Sequence, residues 1–416
     1  MATEHNLTHV VNFIGNALNR GNFCIGIFLD LKKAFDTVSH SILLKKLNKL
    51  GVNNTALAWF KCYLSSRSQK VDIDGFMSST LELTCGVFQG SILGPLLFLC
   101  YINDIFNASD LATFLFADDT SCLAENNNLH DLISYVNGEL NKLASWFKAN
   151  RMAVNVSKTN YIIFHTKGKK VDMNGLHVVF NNNDPNDPTQ DPLLIQNLER
   201  IYDNNPDTKL RYYKLLGVHF DEQLTFNKHI SHICAKLSRA NYLLRRVSNF
   251  ISPKCLRMLY FSLFHSHLLY CNNIISCTSQ SNLNKNFPVA TKSNKNHHTK
   301  SSSSEHTGPL FTSLRILPFE KFLLLNKLLF MHAVAYGYAP SSFRNVWTVN
   351  ESRDLNYELR NRDIFSIPPV RIELFRKIPL YSLPNEWNNL VENIRLQHNR
   401  TTFKIALTDY LFENLL

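Results

Sequence analysis

Three carboxylates stand where the sequence makes charge expensive. Asp30 lies near the end of the run Cys-Ile-Gly-Ile-Phe-Leu-Asp-Leu from Cys24 to Leu31, which reads as a strand buried on both faces. Asp118 and Asp119 sit where the chain reverses between Ala112 and Leu123, in a short hairpin with a polar tip. Neighbouring carboxylates in water-poor surroundings repel, and they escape by sharing a proton or by binding a divalent cation. Oxygen donors suit magnesium, and a pair of such ions can stabilise both the attacking and the leaving oxygen in phosphoryl transfer. An Asp-Asp pair by itself also fits a solvated turn; the apolar strand residues ahead of each acid favour a site.

A second cluster spans Cys85 to Leu97, where Gly86, Gly90 and Gly94 alternate with Gln89 and Ser91. Glycines let a backbone approach a ligand closely, and the helix that follows offers free N–H groups, so a nucleotide could dock there. Standing alone, the segment reads more readily as a glycine-rich turn entering a helix. The chain of 416 residues carries a net charge of +11, which suits a polyanionic partner without proving one. With 45% hydrophobic residues it has material for two or three globular units, which excludes wholesale disorder. No apolar run reaches the roughly 18 to 20 residues of a membrane span. The start lacks the basic and apolar stretches of a secretory signal, so an intracellular site is expected. Nine cysteines without a Cys-x-x-Cys pair are read as reduced thiols.

The elements that must position these residues alternate in an α+β pattern. Helical spacing runs over 33–50, 55–66 and 92–106, with a hairpin between Gln69 and Thr84. The strongest amphipathic helix carries Leu129, Leu132, Ile133, Val136, Leu140, Leu143 and Phe147, at offsets of three and four. Short strands are expected at Met152–Val156 and Tyr161–His165. Two loops rich in Asn, Asp and Pro then flank a short helix, followed by a strand from Tyr212 to Phe220. Helices cover 227–249 and 253–271. Residues 282–305 read as a flexible connection, and helical periodicity resumes from Leu310.

The motifs in order resemble the reverse transcriptase of non-LTR (LINE-type, jockey-like) retrotransposons. Phe28-Leu-Asp-Leu-Lys-Lys-Ala-Phe-Asp36 resembles the family's first palm motif. Gly86-Val-Phe-Gln-Gly-Ser-Ile-Leu-Gly-Pro95 resembles its second, and Phe116-Ala-Asp-Asp119 its catalytic box. Asn155-Val-Ser-Lys158-Thr resembles the next motif, and Lys214-Leu-Leu-Gly-Val-His-Phe-Asp221 the turn that supports the primer end. The resemblance implies a right-hand polymerase: an antiparallel palm sheet with packed helices and partial fingers over 1–225, a helical thumb over 226–280, a flexible linker over 281–309 and a helical C-terminal region over 310–416.

It also implies roles. Asp30, Asp118 and Asp119 would hold two Mg2+ ions, with Mn2+ as a substitute, and Lys158 would assist at the phosphates. Leu31, Phe35, Gln89 and Gly90 would meet the nucleotide, Phe35 lying beneath its sugar and favouring deoxynucleotides. Leu216, Gly217, Lys236, Arg239, Arg245 and Arg246 would contact primer and template. The implied partners are an RNA template, a DNA primer and dNTPs, with no membrane, and the implied residence is nuclear. The oligomeric state is not legible.

Departures matter too. Phe88 stands where the family usually has Pro, and its ring is expected to crowd Gln89. The chain begins after most of the fingers segment and without the nuclease domain of intact elements, so it reads as N-terminally truncated. Between Asn282 and Glu305 an expected basic helix gives way to Lys-Ser-Asn-Lys-Asn-His-His-Thr-Lys-Ser. His229, His232 and Cys234 lack a fourth zinc ligand at sensible spacing, and His297 and His298 are expected to bind nothing. Two other readings stand beside polymerisation: an inactive nucleic-acid-binding remnant and a palm-like nucleotide cyclase.

Overall fold

β1 (Phe23–Leu29) is buried at every position, as a strand apolar on both faces must be. The computed structural model describes residues 2–181, 195–201, 211–286, 315–349 and 364–414. The chain packs as two compact units. One is Asn22–Tyr202; the other joins Met1–Gly21, which carries α1 (Thr3–Asn19), to Asp203–Leu416.

In the first unit, the helix expected over 33–50 begins later, as α2 (His40–Lys49). Residues ahead of it turn at Lys33, where φ is 48°. Their backbone groups serve a distant loop instead: Gly86 N donates to Val38 O and Val87 N to Phe35 O, each at 2.8 Å. After α3 (Asn54–Leu64) come β2 (Arg67–Gln69), β3 (Asp72–Ile73), β4 (Phe76–Met77) and β5 (Leu81–Leu83), with β2 paired to β5 and β3 to β4. α4 (Leu93–Ile102) buries Leu97, Phe98, Tyr101 and Ile102.

β6 (Ala112–Phe116) and β7 (Asp119–Asn126) form the expected hairpin. α5 (Leu129–Ala149) is capped by Asn128, whose side chain accepts from His130 N and Asp131 N, and it buries the apolar stripe read from the sequence. β8 (Asn160–Phe164) lies on the other side of β1. The strand expected at Met152–Val156 is reduced to one bridge between Leu31 and Val154. The helix expected between the two polar loops is instead strand: β10 (Ile195–Asn197), paired with β9 (Val179–Asn181) from ahead of the first loop, then β11 (Glu199–Arg200) alongside β8. Sheet pairing overrides a weak local preference there. The five-stranded sheet runs β11-β8-β1-β7-β6, antiparallel except for β11 against β8.

In the second unit, β12 (Tyr212–Leu215) and β13 (Val218–Asp221) form a hairpin rather than one strand. α6 (Asn227–Val247) and α7 (Pro253–Leu259) follow. A π-helical segment, Tyr260–His265, then shifts the phase of the chain before α8 (Ser266–Leu269) and α9 (Asn272–Ile275). α10 (Gln280–Asn286) takes in the first residues of the expected linker; the rest of that linker, with His297 and His298, lies outside the described residues. α11 (Phe319–Ala335), α12 (Pro379–Asn388), α13 (Glu392–Arg395) and α14 (Arg400–Glu413) enclose a core containing Met331, Trp347, Trp387, Phe403 and Leu407.

α1 packs with this C-terminal region, although the sequence expectation grouped residues 1–225. Glu4 accepts from Asn273 N at 3.0 Å, and Asn19 donates to Pro369 O at 2.9 Å and accepts from Arg371 N at 2.8 Å. His9 stacks on Phe343 with ring centroids 4.1 Å apart. Among the described residues no helix is long and apolar enough to cross a membrane.

Candidate active site

The register of the central sheet brings two of the three acids together. β1 and β7 are paired down to Leu29 and Thr120, so Asp30 and Asp119 stand one residue further on, at adjoining strand ends. Phe116 pairs with Asp119, which leaves Ala117 and Asp118 as the two-residue turn. Ala117 adopts φ 55° there, a left-handed conformation that a residue with a side chain adopts only at some cost. That turn sets Asp118 beside Asp119.

The electrostatics follow from this crowding. The Asp119 carboxyl is raised above its ordinary range, first by partial burial and then by the negative charges of Asp118 and Asp30. The side chains of Asp118 and Asp119 remain open to solvent, and Asp30 is half-buried. Three hard oxygen donors that repel one another fit a divalent cation chemically. Among the described residues, however, no three His, Cys, Asp or Glu side chains form a finished coordination cluster.

Two residues that the sequence reading left without a role hold the Asp30 backbone. Asp30 N donates to Thr159 Oγ1 at 3.2 Å, and Asp30 O accepts from Asn155 N at 2.7 Å. Thr159 is fully buried and its hydroxyl donates to Asn155 O at 3.0 Å. A small polar residue directly after Lys158, ahead of an apolar strand, was the available signal. Lys158 itself is exposed on the turn between Asn155 and Thr159.

Leu31 bridges to Val154, and the ring of Phe35 packs on Phe98 with centroids 4.6 Å apart. The glycine-rich loop is drawn onto this segment. Gly86 has φ 90°, and a Cβ added to it would lie 2.9 Å from Asp36 O, so the close approach requires glycine. His40 Nε2 donates to Gly86 O at 2.7 Å, and Gln89 Nε2 donates to Asp36 Oδ1 at 3.1 Å. Asp36 thus holds Gln89, while Gly90 is exposed with φ 82°. The Phe88 ring has other neighbours on α3 and β2. It meets Tyr63 edge-on at 5.4 Å, with the Arg67 guanidinium 5.5 Å from its ring. Ser91 Oγ donates to Phe88 O at 2.7 Å and accepts from Gly94 N at 2.9 Å, closing the turn into α4.

The remaining expected site residues belong to the second unit. Leu216 and Gly217 form the two-residue turn of the β12–β13 hairpin, both with positive φ (45° and 80°), as such a tight hairpin demands. Tyr270 Oη donates to Leu216 O at 2.6 Å. Asp221, buried, accepts from Thr225 N, Thr225 Oγ1 and Phe226 N at 3.0, 2.9 and 2.8 Å, and so organises the entry to α6. Lys236, Arg239, Arg245 and Arg246 are exposed on α6. At about 100° per residue, Lys236, Arg239 and Arg246 share one stripe with His232, and Arg245 falls on the other flank.

Residues 3–220, just over half of the chain, match the family described as reverse transcriptase (RNA-dependent DNA polymerase). The chain belongs to the reverse transcriptase family. The chain is similar to the RNA-directed DNA polymerase from mobile element jockey of Drosophila melanogaster, with 27% identity over 68% of this chain and 29% of the relative. It is also similar to the probable RNA-directed DNA polymerase from transposon X-element of the same species, with 28% identity over 56% of this chain and 24% of the relative. The jockey-like resemblance carried by the motifs is borne out. The chain spans less than a third of the length of these curated relatives. Among solved structures, telomerase from Candida albicans aligns over 82% of this chain and 53% of its own, at a TM-score of 0.29 and 10% identity. A polymerase fold of mixed helix and sheet accords with the family.

Proposed function

We propose that this reverse transcriptase performs RNA-directed DNA synthesis for a non-LTR retrotransposon, adding a nucleotide from a dNTP to a primer 3′-hydroxyl. The central sheet of the first unit is the palm in this reading, and the helices from α6 onward the thumb. Asp30, Asp118 and Asp119 would hold two divalent cations, magnesium or manganese, which when bound supply charge compensation and activation of the primer hydroxyl.

The chain's own residues do the rest by positioning. Phe35 lies beneath the sugar and discriminates against a 2′-hydroxyl, with Leu31 beside it. Gln89 and Gly90 meet the nucleotide, and Asp36 fixes the Gln89 amide. Lys158 offsets phosphate charge or gives a proton to the leaving pyrophosphate. The Leu216–Gly217 turn supports the primer end. Lys236, Arg239, Arg245 and Arg246 contact the RNA template and DNA primer through phosphates, without reading sequence. Residence at chromosomal DNA, in the nucleus, follows from this role.

The observation that supports the reading most is the placement of Asp30 and Asp119 at adjoining strand ends beside Asp118, inside the family-matched region. Primer extension on an RNA template with magnesium tests it. Incorporation is expected, and its loss in Asp118→Ala. A salt-sensitive gel shift with no incorporation by the parent protein would favour a nucleic-acid-binding remnant instead.

A further inference from the structure

Beside the Leu216–Gly217 turn, the second unit contains a cavity of about 280 Å³ whose lining includes Lys214, His229, His232, Lys236, Ser266 and His267. Tyr270, which holds the turn, also lines it. His229 is buried, 2% exposed, yet neither of its ring nitrogens has a hydrogen-bond partner among the described residues. Leaving such groups unsatisfied is costly, and a ligand that supplied partners would recover the loss. The rings of His219 and His232 lie 5.1 Å apart, and those of His219 and His229 6.1 Å apart.

Every charge acting on these imidazoles is of one sign. His219 faces Lys214, Lys228 and Lys236, besides His232; His232 faces Lys236, Lys214, Arg239 and His267; His267 faces Lys236. Among the described residues, none that lines the cavity is acidic. Burial, followed by this like charge, lowers His229 to about 3 and His219 to about 4. A cation would be repelled by Lys214 and Lys236, so the missing partner is an anion. One with several acceptor oxygens matches several convergent N–H and O–H donors.

We propose that this cavity binds a phosphate group, held by Lys214 and Lys236 as standing cations and by His232, His267 and Ser266 as donors, with the His229 ring at its back. The group can arrive as a backbone phosphate of the primer–template or as a small phosphate anion such as pyrophosphate. The first source rests on the proposed role of the Leu216–Gly217 turn; the second does not.

The test is titration of the full chain, without dNTP or metal, with pyrophosphate and separately with a short RNA–DNA duplex. Histidine ring NMR signals and calorimetry are followed in the parent, in Lys236→Gln and in Lys404→Gln, an equal charge change at an exposed position of α14. Pyrophosphate is expected to raise the titration midpoints of His232 and His267 by about one pH unit, and Lys236→Gln to weaken its binding about tenfold. If the source is backbone phosphate, Lys236→Gln also lowers the salt slope of duplex binding by about one; an unchanged slope alongside the tenfold weaker pyrophosphate binding assigns the cavity to the small anion. Histidine signals unmoved by either ligand would overturn the proposal, as would equal weakening by Lys404→Gln. Pyrophosphate binding does not depend on primer extension, so failure of the polymerase reading stays distinguishable.

Discussion

Asp30 and Asp119 face one another across β1 and β7, one residue beyond the last registered pair of Leu29 and Thr120. The two acids are 89 positions apart in sequence, and a strand register makes them neighbours. Such crowding of like charge trades stability for function. In Asp119→Asn, incorporation should be abolished while thermal stability is unchanged or rises by a few tenths of a kcal/mol. Parallel melting curves and primer extension measure both, and a clear loss of stability would contradict uncompensated repulsion at this site.

Gly86 is a second point of strain. Its φ of 90° and the 2.9 Å approach to Asp36 O leave no room for a methyl group. Gly86→Ala should destabilise the chain by about 1 to 3 kcal/mol. The loop that carries Gln89 would shift with it, so KM for dNTP should rise. Denaturant unfolding together with steady-state kinetics would check the pair of effects.

Tyr270 anchors the Leu216–Gly217 turn through one hydroxyl bond of 2.6 Å. Tyr270→Phe keeps the ring and removes that bond, so stability should fall by about 1 kcal/mol. If the turn supports the primer, KM for primer–template rises more than kcat falls. An unaltered KM in a correctly folded variant would detach the turn from the primer.

His229 makes acid sensitivity predictable in sign. Its folded pKa of about 3 lies below the ordinary imidazole value of 6.5, so the unfolded chain binds the proton first and stability is lost as pH falls below the unfolded value. Between about pH 7 and about pH 5 this one buried ring should cost roughly 2 kcal/mol. His229→Leu should flatten that stretch of the stability profile, measured by urea unfolding at each pH. A slope equal to the parent's would show that other groups carry the acid response.

Much of the site was legible before any fold. The apolar run ending at Asp30, the acids at a hairpin tip and the glycines around Gln89 are local patterns, and so is the stripe of α5. Each depends on residues within a few positions of one another, which is why sequence alone determined them, along with the family resemblance their order carries. What the tertiary structure decided was partnership. Residues 33–39 have helical spacing but give their backbone groups to the loop at Gly86 and Val87. The segment after Ile195 becomes strand because Val179, Phe180 and Asn181 pair with it. α1 packs with residues near Pro369 and Ile378, more than three hundred positions away. Thr159 acquires its role from the backbone N–H of Asp30, which only the folded chain brings to it. Local periodicity records which face of an element is apolar; which distant donor or acceptor it meets is set by long-range packing, where leaving a buried polar group without a partner is costly.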